Sequence, residues 1–156
     1  GLDDVWHNPQ TDEIFIVDYK STAGKRNEDL TALQEISLVG AYKETYKRQM
    51  DMYQWIMRQN GFNVSQISYF VYVNGDQHFE DGMLEEDIDK ANMKFDVQLL
   101  SYEGDDSWVE QTIFDLKDCL LQKNCPEHAQ SGFGPKGDKK CEHAELFDGM
   151  KEHGLM

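Results

Sequence analysis

Apolar positions alternate with polar ones, or run together, in four short stretches of the chain. Residues 1–6 and 14–20 are two such stretches, separated by Asn8-Pro9-Gln10-Thr11-Asp12, which has the composition of a hairpin loop. Residues 64–73 are rich in β-branched and aromatic side chains, and residues 95–102 alternate. We therefore predict a strand in each stretch, the first two forming a hairpin.

Apolar residues at helical spacing occur in two places, between the second and third predicted strands and after the fourth. Apolar and aromatic residues recur every three or four positions from Tyr42 to Met57, and Gly61 follows as a stop signal. A second amphipathic helix is predicted over residues 108–123, with Asp106-Ser107 as its candidate N-cap. The third strand should end at the turn dipeptide Asn74-Gly75. This order predicts one α/β domain over residues 1–156, with a mixed central β-sheet flanked by helices.

The register of the predicted hairpin follows from its side chains. A register that matches apolar and aromatic residues across the two strands predicts the pairs Asn8–Glu13, Trp6–Phe15, Val5–Ile16 and Asp3–Asp18. A shift by one residue would bring Asp4, rather than Asp3, opposite Asp18. We favour Asp3, and keep Asp4 as the alternative.

The second strand ends in Asp18-Tyr19-Lys20, the most informative tripeptide of the chain. Residues two apart on a strand point to the same face, so Asp18 and Lys20 should lie side by side. A carboxylate can hold a divalent ion, and a neighbouring lysine can orient a water or stabilise charge on a phosphate. An ordinary ion pair at a strand end would have the same sequence. With Asp3 or Asp4 added, and the carbonyl of Tyr19 as a third ligand, the group predicts a site for Mg²⁺ or Mn²⁺.

Gln49 and Tyr53 stand four residues apart on the first predicted helix. They should therefore share one face of it. Both offer hydrogen bonds from an otherwise apolar stripe, which indicates either a tolerated polar pair in the core or groups facing the metal site. We predict the second arrangement, with Gln49 directed at the site.

Taken in order, these residues resemble a known family. Asp3, Asp18-Tyr19-Lys20 and Gln49-x-x-x-Tyr53 are similar to the motifs of the PD-(D/E)XK nucleases, in the RecB-like branch that includes CRISPR-associated exonucleases and phage relatives. The Gly-x-x-Asp motif of that branch is incomplete here. If Asp3 is the acid, the glycine would fall one position before Gly1; if Gly1 is the glycine, the acid is Asp4. The resemblance implies a restriction-endonuclease-like core, an N-terminal helix that this chain lacks, and Asp3, Asp18, Lys20, Gln49 and Tyr53 as catalytic residues.

Cysteines form a separate group near the C-terminus. An odd number of them, Cys119, Cys125 and Cys141, argues against a disulfide scaffold. In the family, a four-cysteine iron–sulfur cluster often closes the domain, and residues 125–156 resemble a degenerate, loop-rich remnant of that region. Because Ala144 stands where a cysteine is needed, we expect no cluster. The alternative is zinc on the four side chains Cys125, His128, Cys141 and His143, whose spacing is not a standard zinc pattern.

Charge limits the functions that fit. Fifteen basic and thirty acidic residues give a net charge of −15, which argues against broad, sequence-independent binding of DNA. Basic residues nevertheless cluster at Lys20, at Lys25-Arg26 and over residues 43–48, and a local patch can serve where the mean charge cannot. No signal peptide and no membrane-length apolar run is visible in the sequence.

The resemblance and the residues together imply a Mg²⁺- or Mn²⁺-dependent deoxyribonuclease. We expect an exonuclease acting on DNA in recombination, repair or phage DNA processing, with protein partners in such a complex and an intracellular location in a bacterium, an archaeon or a phage-infected cell. The alternative is a catalytically silent PD-(D/E)XK-like domain that binds DNA or protein. The missing N-terminal helix and the acidity favour that alternative, since a shortened domain could be inactive.

Overall fold

The computed structural model describes residues 1–26, 32–76, 89–123 and 142–155, with the side chains of residues 142–144 and 147 left aside. Within these ranges the elements are β1 (Asp4–Asn8), β2 (Glu13–Thr22), α1 (Ala41–Gln59), β3 (Ile67–Gly75), β4 (Phe95–Glu103), α2 (Val109–Leu121) and α3 (Glu142–Glu152). The predicted α/β class is confirmed. No helix in the described part of the chain is long and apolar enough to cross a membrane.

A mixed four-stranded sheet, in the order β1-β2-β3-β4, forms the centre of the fold. The hairpin of β1 and β2 is antiparallel, β2 runs parallel to β3, and β4 returns antiparallel to β3. The parallel pair requires a crossover, and α1 provides it. The predicted hairpin register is confirmed, since Val5 pairs with Ile16 and Asn8 with Glu13.

One face of the sheet packs against α1. The buried cluster at this interface comprises Ile16, Met50, Val64, Phe70 and Tyr72. Ile36 and Leu38, in the irregular segment before α1, pack against the same cluster. On the opposite face of β4, Val97 and Leu99 are more than half exposed. The site lies on the α1 side, because Asp18 and Lys20 alternate with Val17 and Tyr19 along β2.

Strand β2 continues to Thr22, past its predicted end at Lys20, and two further predicted boundaries are wrong. Asn74 and Gly75 do not turn the chain but continue β3, because β4 supplies Asp96 and Phe95 as their ladder partners. Asn74 is fully buried and its Oδ1 accepts a hydrogen bond of 2.7 Å from the amide of Gly24. Pairing with β4, about twenty residues away in sequence, outweighs the turn preference of Asn74-Gly75. Such pairing cannot be predicted from local composition.

The predicted N-cap of α2 is also wrong. The helix begins at Val109 with Trp108 in the cap position and no side-chain cap bond. Asp106 is engaged elsewhere, since its Oδ2 accepts a hydrogen bond of 2.6 Å from Arg58 of α1. An ion pair between two elements therefore replaces the local cap.

The C-terminal region contains a helix where a loop-rich tail was predicted. Residues 142–152 form α3, with Lys151 in its last turn, where a cation favours the helix dipole. Cys125, His128 and Cys141 lie outside the described residues, as does the His143 side chain, so the predictions made on them stay open. Cys119 is described, and it is an exposed free thiol.

Candidate metal site on strand β2

Asp18 is the centre of the candidate site. The residue is only 1% exposed, although it carries a carboxylate, and it lies within β2, which continues to Thr22. Side chains two residues apart on a strand point to the same face, so Asp18 lies on the face of Ile16, which packs on α1. The carboxylate is therefore buried. Burying a charge in this way is costly without a partner. The neighbours of Asp18 therefore decide its chemistry.

Asp3 lies beside Asp18, as the hairpin register predicts. It stands one residue before β1, and its Oδ2 accepts a hydrogen bond of 3.0 Å from the amide of Tyr19. Burial raises the pKa of Asp18 above its ordinary value, Lys20 lowers it, and the nearby negative charge of Asp3 raises it again. Two carboxylates thus converge on one face, and their mutual repulsion favours the binding of a cation between them.

Asp4, the alternative ligand, faces the other way. It pairs with Val17 rather than Asp18, and its Oδ2 accepts a hydrogen bond of 2.8 Å from the Tyr19 hydroxyl. This hydrogen bond, followed by that from the Val5 amide, lowers the pKa of Asp4. Because adjacent residues of a strand point to opposite faces, Asp4 cannot join Asp18 in this register. The geometry therefore favours Asp3 over Asp4 as the ligand beside Asp18, and the choice between them stays a prediction.

The backbone of Tyr19 is directed at Asp3. In β2, Ile14 donates to the carbonyl of Asn63 and accepts from the amide of Ser65, so the even-numbered residues turn their peptide groups toward β3. Odd-numbered residues then turn theirs toward β1. The amide of Tyr19 does so, since it binds Asp3, and its carbonyl lies on the same side. This placement is compatible with the predicted role of the Tyr19 carbonyl as a ligand.

Lys20 adds a cation to the two acids. Its Nζ forms an ion pair with Asp18 Oδ2, and its side chain is 17% exposed. The same ammonium lies 4.5 Å from the centre of the Tyr46 ring of α1, which holds it by a cation–π contact. The predicted side-by-side arrangement of Asp18 and Lys20 is confirmed. Lys20 therefore already occupies Asp18 Oδ2 and, against the effect of burial, lowers the pKa of Asp18.

The donor set suits a hard divalent ion. Among the described residues no group of three or more His, Cys, Asp or Glu side chains could hold a metal, so protein carboxylates supply two ligands at most. Mg²⁺ is commonly held by one or two carboxylates and completes its shell with waters and substrate phosphates. Asp3 and Asp18 offer oxygen ligands only, and a metal ion would compete with Lys20 for Asp18 Oδ2. The residues present therefore fit Mg²⁺ or Mn²⁺.

Gln49 and Tyr53 form a connection from α1 to the N-terminus. Gln49 Nε2 donates to the Tyr53 hydroxyl at 2.7 Å, which confirms that the two share a helix face. The Tyr53 hydroxyl in turn donates to the carbonyl of Gly1 at 2.9 Å. The pair thus fastens the segment that carries Asp3, two residues after Gly1. Gln49 is therefore connected to Asp3 indirectly, through Tyr53 and Gly1. Its contact with DNA or an active-site water stays a prediction.

Replacing Gln49 by leucine tests this connection. We expect Gln49→Leu to slow DNA cleavage by about 10- to 100-fold at an unchanged melting temperature, the usual cost of losing a group that orients a metal ligand. Gln111→Leu on α2 is the matched control, since Gln111 also donates to a residue four positions on, Asp115, at 2.8 Å. If Gln49→Leu raises stability and leaves the cleavage rate at the wild-type level, Gln49 is only a core residue.

The predicted basic patch is smaller than the sequence indicated. Arg26 pairs with Asp76 at 2.7 Å and Lys47 with Glu44 at 2.7 Å, so their charges are locally compensated. Lys20 is paired with Asp18, and the ammonium groups of Lys20 and Lys43 lie 4.5 and 5.5 Å from the Tyr46 ring centre.

Tyr46 was not among the predicted site residues. Its hydroxyl donates to Tyr42 at 2.9 Å, and this bond, more than burial, raises the pKa of Tyr46 to about 12. Its ring also supports Lys20. The sequence feature that could have indicated Tyr46 as a site residue is its position in the helical stripe between Tyr42 and Gln49. A tyrosine in such a stripe is usually a core residue.

Buried polar groups away from the site have structural roles. Asp51 accepts hydrogen bonds from the Tyr102 hydroxyl at 2.9 Å, the Asp105 amide at 3.0 Å and Trp108 Nε1 at 3.0 Å. These bonds join α1 to the end of β4 and the start of α2. Burial, followed by this contact with Asp51, raises the pKa of Tyr102 well above its ordinary value.

Comparison with known proteins adds no assignment to this geometry. The functional argument rests on the two carboxylates, the lysine and the polar groups of α1. No family model matches the chain, and comparisons with curated proteins and with solved structures likewise gave no match.

Proposed function

We propose that the protein is a metal-dependent DNA nuclease with a restriction-endonuclease-like core, in the RecB-like branch of the PD-(D/E)XK nucleases. One observation carries the proposal: the hairpin register brings Asp3 beside Asp18, on the face where Lys20 also lies. Asp18 is a buried carboxylate beside an ammonium, which is expensive to maintain, and hydrolysis of a phosphodiester uses both groups together with the exposed carboxylate of Asp3. The mixed sheet with its α1 crossover is compatible with such a core.

The proposed mechanism assigns a separate role to each group. Asp3 and Asp18, with the Tyr19 carbonyl, would hold Mg²⁺ or Mn²⁺, and the bound ion would supply Lewis acidity toward a phosphate oxygen and acidify a water. Lys20 stabilises the negative charge that develops on the phosphate. Gln49 and Tyr53 keep the Asp3 segment in place. We propose an exonuclease that acts intracellularly in recombination, repair or phage DNA processing.

A second candidate is a catalytically silent domain of the same kind that binds DNA or a protein partner. Two observations favour it: Lys20 already neutralises Asp18, and the chain carries a net charge of −15. In this case the ion pair between Lys20 and Asp18 persists, and Asp18 binds no metal ion.

Release of nucleotides from linear DNA separates the two candidates. We expect release with Mg²⁺ or Mn²⁺ and none with EDTA, measured on end-labelled duplex and single-stranded substrates. Release that is insensitive to EDTA would contradict the proposed mechanism. DNA binding without any release, at metal concentrations that saturate the protein, would favour the silent domain.

A further inference from the structure

Lys43 stands at an unfavourable end of its helix. It is the third residue of α1, in the first turn, where the helix dipole places partial positive charge. A cation there weakens the helix, and an acid would be the stabilising choice. Lys20 is close by, since both ammonium groups lie within 5.5 Å of the Tyr46 ring centre. Helix stability therefore does not explain the residue.

The contacts of Lys43 hold its ammonium without neutralising it. Nζ donates to the Tyr72 hydroxyl at 2.7 Å and lies 4.4 Å from the Tyr72 ring centre. Within the described parts of the chain, no carboxylate lies in ion-pair distance of it, whereas the neighbouring Lys47 is paired with Glu44. Tyr72 is 1% exposed, so one anchor of this ammonium is part of the rigid core. A fixed ammonium that is not paired with any described carboxylate is an arrangement that suits an anionic ligand.

The position of this cation indicates which anion. The Tyr46 ring contacts both lysines, and Lys20 contacts Asp18, so Lys43 lies one side chain beyond the candidate metal site. A ligand that spans the metal site and this ammonium needs more than one negative group along its length. A DNA strand has such a spacing of charges, because every nucleotide carries a phosphate.

We propose that Lys43, held by Tyr46 and Tyr72, binds a backbone phosphate of the DNA strand next to the one that is cleaved. The inference rests on the proposed nuclease function and adds a substrate-binding residue outside the motifs of the resemblance. Lys43 positions the strand and does not take part in the chemical step. Its loss therefore weakens DNA binding.

Equilibrium binding of duplex DNA in EDTA, over a series of salt concentrations, tests the proposal. We expect Lys43→Gln to weaken binding at least about tenfold at low salt, the size of a lost charge-assisted hydrogen bond. The slope of log K against log salt should become shallower by about 0.9, the value for one duplex phosphate contact. Lys43→Arg should retain both the affinity and the slope.

Lys47→Gln is the matched control, since it lies one turn further along α1 and changes the net charge equally. We expect it to leave the slope near that of the wild type, because Glu44 already compensates Lys47. Equal slopes for wild type and Lys43→Gln, with both proteins folded by thermal melting, would overturn the role of Lys43 while leaving the nuclease proposal intact. A wild type that binds no DNA in EDTA, Ca²⁺ or Mg²⁺ would overturn both.

Discussion

Asp18→Asn is expected to abolish cleavage of linear DNA and to remove the divalent-ion site. The substitution keeps the size of the side chain but replaces the buried anionic ligand by a neutral amide, which binds Mg²⁺ poorly. The measurement is nucleotide release with saturating Mg²⁺ or Mn²⁺. Asp118→Asn, an exposed acid on α2, is the control and should cleave at the wild-type rate. Cleavage by Asp18→Asn at a rate close to the wild type would place the site elsewhere.

The same substitution has an expected effect on stability. Burial, as the largest influence, raises the pKa of Asp18 above its ordinary value of 3.8. A carboxyl group with a raised pKa in the folded state favours folding when it is protonated, and this contribution is lost as the pH rises from 3.8 through the raised pKa. At pH 7 without metal, Asp18→Asn should therefore melt no lower than the wild type. A large loss of stability would indicate that the Lys20–Asp18 ion pair is a structural element rather than a functional one.

Lys20→Ala should slow cleavage by about 10²–10³-fold, the usual cost of removing one preorganised electrostatic donor, or roughly 3–4 kcal/mol. Metal binding should survive, because Lys20 is the internal competitor for Asp18 Oδ2 and its removal leaves both acids in place. Single-turnover rates and Mn²⁺ affinity measured on the same preparations separate the two effects. Lys47→Ala, whose lysine is paired with Glu44, is the control. A Lys20→Ala protein as fast as the wild type would contradict the mechanism.

The hairpin could be predicted from sequence because its determinants are local. The loop of residues 8–12 fixes where the chain turns, and only one register pairs Trp6 with Phe15 and Val5 with Ile16. The convergence of Asp3 and Asp18 follows from that register without further information. The determinants of α1 are also local. The spacing of apolar residues from Tyr42 to Met57 predicts the helix, and Gly61, with a φ of 86°, follows its end.

Features that depend on distant partners could not be predicted in this way. Asn74 has turn-forming character, yet β4 and the amide of Gly24 keep it in a strand. Asp106 has the character of a helix cap, yet Arg58 binds it from another helix. Lys43 became distinctive only when the fold placed Tyr72 against it. The deciding contacts join residues 22 to 50 positions apart, beyond the reach of a local pattern.

Calorimetric titration with Mn²⁺ of the wild type, Asp3→Asn and Asp4→Asn tests the central claim most directly, because it needs neither DNA nor turnover. Asp3 and Asp4 are adjacent in sequence and both are acids, but Asp3 lies beside Asp18 while Asp4 binds the Tyr19 hydroxyl on the opposite face. We predict one Mn²⁺ site in the wild type, its loss in Asp3→Asn and its retention in Asp4→Asn. Identical titrations for the wild type and Asp3→Asn, or loss of the site in Asp4→Asn alone, would contradict the account.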